Sequence, residues 1–226
     1  MNLTFYGQAC FGVDINGKHL LFDPMISSNP LAKDIDMDSI PADYILLTHA
    51  HFDHTENVEQ IATRTGATIV ANWEIHNYYQ AKGYKTHPMN QGGKWKFDFG
   101  TVKSVAAVHT SSFVDGTYGG NPNGFVIWGE GFSFYHAGDT ALTMDMKLIP
   151  MTCPKLDFAI LPIGDNFTMG FDDAVIAASF IECDKIVGCH FDTFGFIKID
   201  HEEAKKAFAT QQKALILPEI GETVEV

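Results

Sequence analysis

Arginine is almost absent: Arg64 is the only one in 226 residues, and Lys plus Arg reach 15 against 28 acidic side chains, a formal charge of −13. A chain so short of positive charge has no electrostatic footprint for an extended polyanion, so nucleic acid is not an expected partner. It also lacks the material for the bidentate guanidinium clamps that phosphate recognition favours. Bound divalent cations would offset the acidity locally, so charge alone does not exclude a small anionic substrate. The four cysteines, at 10, 153, 183 and 189, make no C-x-x-C pair and no regular framework, which fits free thiols in a reducing compartment. No run approaches the roughly 18 apolar residues that would span a bilayer. The opening Asn2-Leu3-Thr4-Phe5-Tyr6 reads as a strand, with neither the basic nor the apolar part of an export signal. A cytoplasmic protein without a membrane partner is expected. Glycine loops that cradle phosphate, low-complexity segments and short-period repeats are missing too.

What is present is enough hydrophobic material, 46% of the residues, to bury a sizeable core, and a single domain over residues 1–226 is expected. Runs at 2–6, 10–15 and 18–23 alternate like strands, and Asn16-Gly17 between the last two is a strong hairpin signal. Asp43 to Thr48 reads as a buried strand after Pro41. A helix from Glu56 to Thr65 ending at Gly66, a strand at 68–71 and a helix from about Trp73 to Lys82 continue the pattern. Further strands are expected near 94–98, 101–108, 124–128, 131–136, 157–163, 185–189 and 213–217, with helices over 172–182 and 201–209. Met25 to Asp38, rich in Ser, Asn, Asp and Pro, is long for a connector and reads either as a flap over a site or as an ordered surface loop.

The chemistry concentrates in Thr48-His49-Ala50-His51-Phe52-Asp53-His54, where three imidazoles and a carboxylate fall on the loop leaving a strand. All four are good donors to zinc or a similar divalent ion. An irregular loop can splay alternate side chains to two sides, so that His49 and His51 serve one metal while Asp53 and His54 serve another about 3.5–4 Å away. Asp139, at a strand end beside Ala137 and Gly138, could approach two cations at once and bridge them with its two oxygens. Asp165 and Asn166, on a glycine-bounded loop after a buried strand, are candidates for substrate contact, while Asp172 and Asp173 look like a helix N-terminal cap. His76, His87 and His136 read as ordinary structural histidines, His136 pointing to the far side of its strand end or lying behind the metal donors. Cys10 and Cys189 are the rival nucleophiles, although strand alternation turns residue 189 away from residue 190.

This H-x-H-x-D-H loop resembles that of the metallo-β-lactamase superfamily. Gly7-Gln8-Ala9-Cys10, Phe22-Asp23-Pro24, His136 to Thr140 and Pro162 to Phe167 extend the resemblance to a branch of small metal-dependent hydrolases related to the ascorbate-phosphate lactonases. The resemblance implies an α/β fold, the αββα sandwich of that superfamily, and two divalent ions, zinc foremost, with manganese, iron and nickel also suited to the donors. It implies metal ligands at His49, His51, Asp53, His54, His109, Asp139 and His190, with Asp53 and Asp139 as the catalytic carboxylates. Asp23 would then support a ligating histidine, or it simply initiates the turn before Pro24. The implied activity is hydrolysis of a small-molecule ester, lactone or phosphoester by a metal-bridging hydroxide. The chain departs from the branch at Gln8, where a histidine is usual, and at Phe191-Asp192, where Tyr-Asn is commoner, which bears on substrate more than on metal. A rival reading is a metal-containing sensor or binding module without turnover, and self-association is left open.

Overall fold

The computed structural model describes residues 1–226. The chain opens with a meander of β1 (Asn2–Gly7), β2 (Cys10–Ile15) and β3 (Lys18–Phe22). Asn16 and Gly17 both adopt positive φ, 51° and 75°, the combination that a two-residue hairpin turn demands. Then follow β4 (Tyr44–Leu46), a single helical turn α1 (Phe52–Thr55), α2 (Val58–Thr65), β5 (Thr68–Ala71), α3 (Trp73–Ala81) and β6 (Thr86–Pro88). The second half holds β7 (Lys94–Lys96), β8 (Thr101–Ala106), β9 (Asn123–Gly129), β10 (Phe132–His136), α4 (Leu148–Thr152) and β11 (Phe158–Pro162). It closes with α5 (Phe171–Phe180), β12 (Lys185–Cys189), α6 (His201–Thr210), β13 (Ala214–Ile216) and β14 (Thr223–Glu225).

These strands make two seven-stranded sheets, ordered β14-β1-β2-β3-β4-β5-β6 and β13-β12-β11-β10-β9-β8-β7. Each is antiparallel in one half and parallel in the other, the change falling at β3 in the first sheet and at β10 in the second. The central strands are apolar on both faces because both faces are covered. Phe22, Leu46, Val70, Phe134, Ile160 and Val187 meet between the sheets. Their neighbours Leu21, Ile45 and Ile69 turn outward under α2 and α3, while Tyr135, Ala159, Leu161 and Ile186 turn outward under α5 and α6. The result is the αββα sandwich. No helix is long and apolar enough to cross a membrane.

Local signals set the helix ends. Val58, Ile61 and Ala62 give α2 its buried stripe, and Gly66 ends it in the left-handed conformation at φ 71°. Asn72 caps α3 by accepting from the amide of Ile75, and Asp200 caps α6 by accepting from the amides of Glu202 and Glu203. For α5 the N-cap is Gly170, and Asp172 and Asp173 sit inside the first turn, where their charge favours the helix dipole instead of capping it.

The segment Met25 to Asp38 packs as an ordered surface loop. Met25, Ile26, Asn29 and Ala32 are buried, and Ile26 and Ala32 join the core beneath α2 and α3. The amides of Ile26 and Ser27 both donate to Oδ1 of Asn57. Apolar anchors spaced along a polar stretch pin it to the outer face of the first sheet.

Candidate metal centre

The ends of the central strands converge on one edge of the sandwich. Asp23 follows β3, residues 48–54 follow β4, Ala137 to Asp139 follow β10, and His190 follows β12; His109 comes from the longer segment after β8. The expected loop at 48–54 is only half irregular. His49 lies outside any helix or strand and His51 is extended, at ψ 151°, as the N-cap of α1, to which Asp53 and His54 belong. The helical turn swings adjacent residues about 100° apart, which presents Asp53 and His54 together.

Seven side chains gather there in two groups, His49 with His51 and His109, and Asp53 with His54, Asp139 and His190. Asp139 belongs to both by position. Its Oδ2 is 3.9 Å from His49 Nε2, 3.5 Å from His109 Nε2, 3.3 Å from His54 Nε2 and 3.0 Å from His190 Nε2. Asp53 Oδ2 lies 3.5 Å from His54 Nε2 and 3.4 Å from His190 Nε2. His49 Nε2 and His51 Nδ1 are 3.0 Å apart. Donors bonded at about 2.1 Å to one first-row ion stand about 3–3.5 Å from one another, so these separations suit shared cations.

The donors fit a metal in two further respects. His54 Nε2 and Asp139 Oδ1 are buried with no hydrogen-bond partner, a costly arrangement for polar atoms that a cation would relieve. The electrostatics also call for positive charge. Burial opposes a proton on His54, yet Asp139, Asp53 and Asp23 hold its pKa well above the ordinary value. Burial likewise opposes a proton on His190, and Asp139 and Asp53 raise its pKa to about 9. Carboxylates that draw a proton onto a buried imidazole draw a divalent cation in the same way. The other group behaves oppositely: burial pushes the pKa of His49 well down and those of His51 and His109 down, so all three stay neutral donors.

A layer behind the donors fixes their orientation. Asp23 is fully buried and accepts from Thr48 twice, from the amide at 2.8 Å and from Oγ1 at 2.7 Å. With its proton committed to Asp23, the Thr48 hydroxyl accepts from His49 Nδ1 at 3.0 Å, which leaves Nε2 of His49 as the lone-pair nitrogen facing the other donors. Asp23 also stands 3.0 Å from His54 Nδ1 and 3.4 Å from His136 Nε2. His136 therefore lies behind the donors and is not one of them. His76 sits on α3 and His87 on β6, and neither joins either donor group. Backbone strain accumulates at the same place, with Gln8, Asp23 and His190 at positive φ, a cost of order 1 kcal/mol each for residues other than glycine. Gly138, at φ 63°, is required beside Asp139, because a Cβ there would meet Thr48 Cβ at 2.7 Å.

The donors floor a cavity of about 750 Å³ lined by His51, Asp53, His109, Asp139 and His190 below, with Phe52, Phe167, Phe194 and Phe196 above. Asp165 and Asn166 do not line it. Both adopt positive φ in a tight turn that directs them into the neighbouring cleft before α5 and presents Phe167 to the cavity instead. Thr110 contributes to the rim. Sequence reasoning missed the phenylalanines and Thr48. Three of those phenylalanines occupy loop or turn positions next to glycine or polar residues, where large apolar side chains have no core to enter, and that was the available signal.

Comparison with known proteins identifies the family. The family model for the beta-lactamase superfamily domain matches residues 18–191. The chain is 62% identical over 227 residues to a UPF0173 metal-dependent hydrolase of Christiangramia forsetii, covering 100% of both. It is 46% identical over 225 residues to another from Methylacidiphilum infernorum, covering 99% of each. Among solved structures, the metallo hydrolase Igni18 of Ignicoccus hospitalis matches with a TM-score of 0.89 at 32% identity, over 99% of this chain and 97% of that one. The chain therefore belongs to the metallo-β-lactamase superfamily, among its small metal-dependent hydrolases.

Proposed function

We propose that the chain is a binuclear hydrolase that cleaves a small-molecule ester, lactone or phosphoester with water, and not with a side chain, as the nucleophile. One observation carries the reading: a single carboxylate oxygen, Asp139 Oδ2, lies within 3.9 Å of imidazole nitrogens from both donor groups. His49, His51 and His109 would hold one ion and Asp53, His54 and His190 the other, with Asp139 between them. Two divalent ions so held supply an activated water and a Lewis acid for the carbonyl or phosphoryl oxygen. Imidazole with carboxylate suits zinc foremost, and manganese, iron or nickel as well.

The chain's own residues do the rest. Asp53 and Asp139 both face the cavity and orient the attacking water. Thr48 and Asp23 keep His49 in the tautomer with Nε2 available. The two thiols nearest the centre are poorly placed to compete. Cys10 and Cys189 are buried and outside the cavity lining, and burial pushes both pKa values up, so both stay protonated. The test is elemental analysis of the purified protein followed by a panel of esters, lactones, thioesters, phosphodiesters and β-lactams. About two ions per chain, with turnover of at least one class that is lost on chelation, is the expected result. A loaded protein inert across the panel would overturn it in favour of a metal-containing binding module.

A further inference from the structure

The roof of the cavity is aromatic and its wall carries no cation. Phe52, Phe167 and Phe196 are 44%, 50% and 78% exposed, a large apolar surface to leave in water around an otherwise polar centre. Phe167 and Phe196 approach edge to face across the opening, their ring centroids 6.3 Å apart. The segment bearing Phe194 and Phe196 is held in place by Asp192: its amide donates to the Ile197 carbonyl at 2.8 Å, its Oδ1 accepts from the Ile199 amide at 3.1 Å, and its Oδ2 pairs with His201 Nε2 at 2.7 Å. The aromatic wall is thus preformed.

Neither Lys nor Arg lines this cavity. The only arginine, Arg64, is committed to the carbonyls of Met37 and Ile40 on the far side of the first sheet. Lys198 faces the adjoining cleft among Asp165, Asp172, Asp173, Asp200 and Glu203. The metals would add positive charge, but Asp23, Asp53 and Asp139 stand against it, leaving little to attract a dianion. Desolvating a phosphate dianion among four phenyl rings is unfavourable when the protein side of the cavity offers it no cationic side chain, only the hydroxyls of Thr110 and Thr193.

Resting on the hydrolase reading above, we propose that the substrate is an uncharged carboxylic ester or lactone bearing an aryl or branched alkyl group, which packs against Phe52, Phe167, Phe194 and Phe196 while the acyl carbon sits over Asp139. Water adds to the acyl carbon, the acyl C–O bond breaks, and the leaving oxygen takes a proton from the water to give an acid and an alcohol.

The test uses the full chain. With metal-loaded protein, kcat/KM for methyl phenylacetate should exceed that for methyl acetate by at least tenfold, and 4-nitrophenyl phosphate should be the poorest substrate. In the double variant Phe167→Ala, Phe196→Ala the phenylacetate-to-acetate ratio should fall towards one at unchanged metal content. A second arm needs no turnover: the neutral dye N-phenyl-1-naphthylamine should bind at least tenfold tighter than its sulfonated relative 8-anilinonaphthalene-1-sulfonate, and methyl phenylacetate should displace it. Equal rates on the two methyl esters, tighter binding of the sulfonate, or a preference for the phosphate each overturn the inference while leaving a hydrolase. Tight neutral-dye binding in a loaded protein that cleaves nothing upholds the apolar cavity and sinks the hydrolase reading.

Discussion

Gln8 Nε2 donates a 2.9 Å hydrogen bond to Asp53 Oδ2, the oxygen that also faces His54 and His190. The Gln8 carbonyl accepts from the His190 amide at 2.8 Å, so one residue ties together two members of the same donor group. On the proposed reading, the amide side chain positions Asp53 for metal binding. Gln8→Ala should leave the fold intact and weaken metal binding about 10–100-fold, as loss of a hydrogen bond to a ligating carboxylate commonly does. Competition against a chromophoric chelator measures this, and an unchanged affinity would make Gln8 a passive neighbour.

Asp139 faces both donor groups, so its loss should be felt at both. Asp139→Ala is expected to lower metal content and turnover together, by a hundredfold or more in kcat/KM. Retention of two metals per chain with full activity would show that the carboxylate bridges nothing.

Thr48 joins His49 to Asp23 through one hydroxyl. Thr48→Val keeps the shape but leaves His49 Nδ1 without its partner and removes one of the donors to Asp23, an expected loss of about 1–3 kcal/mol in stability. Urea midpoints should fall accordingly, and metal affinity with them. An unshifted midpoint would mean that water replaces the hydroxyl at no cost.

Chelation should abolish activity and added divalent metal should restore it, whereas Cys10→Ala and Cys189→Ala should each keep kcat within about threefold. A hundredfold loss at unchanged metal content in either variant would point to a covalent mechanism.

The segment from Met25 to Asp38 should resist limited proteolysis equally with and without methyl phenylacetate, because Ile26 and Ala32 are core residues and Asn57 holds its start. Protection that appears only with the ester would restore the flap reading.

Sequence by itself determined what short-range physics controls. The Asn16-Gly17 hairpin, the apolar strands, the end of α2 at Gly66 and the H-x-H-x-D-H cluster all follow from periodicity, turn chemistry and donor type within a few residues, and the structure places each close to where it reads. Strand ends were clear enough to mark Asp139 and His190 as residues leaving an edge of a sheet. Their meeting was not. His109, Asp139 and His190 reach the 48–54 segment because the second sheet sets β10 and β12 on either side of β11 and the sandwich packs them against β4 of the first sheet, a matter of long-range pairing and packing that no local window contains. Gln8 reads as a lost histidine until the β1–β2 turn is seen beside Asp53, and Met25 to Asp38 reads as loose until its few apolar residues are found in the core. Asp165 and Asn166 looked right by composition, but the positive φ of both turns them away and puts Phe167 in their place. Donor chemistry was therefore written locally, while the arrangement of donors and the apolar roof above them came from tertiary packing, where register and burial summed over many residues outweigh any single side chain's preference.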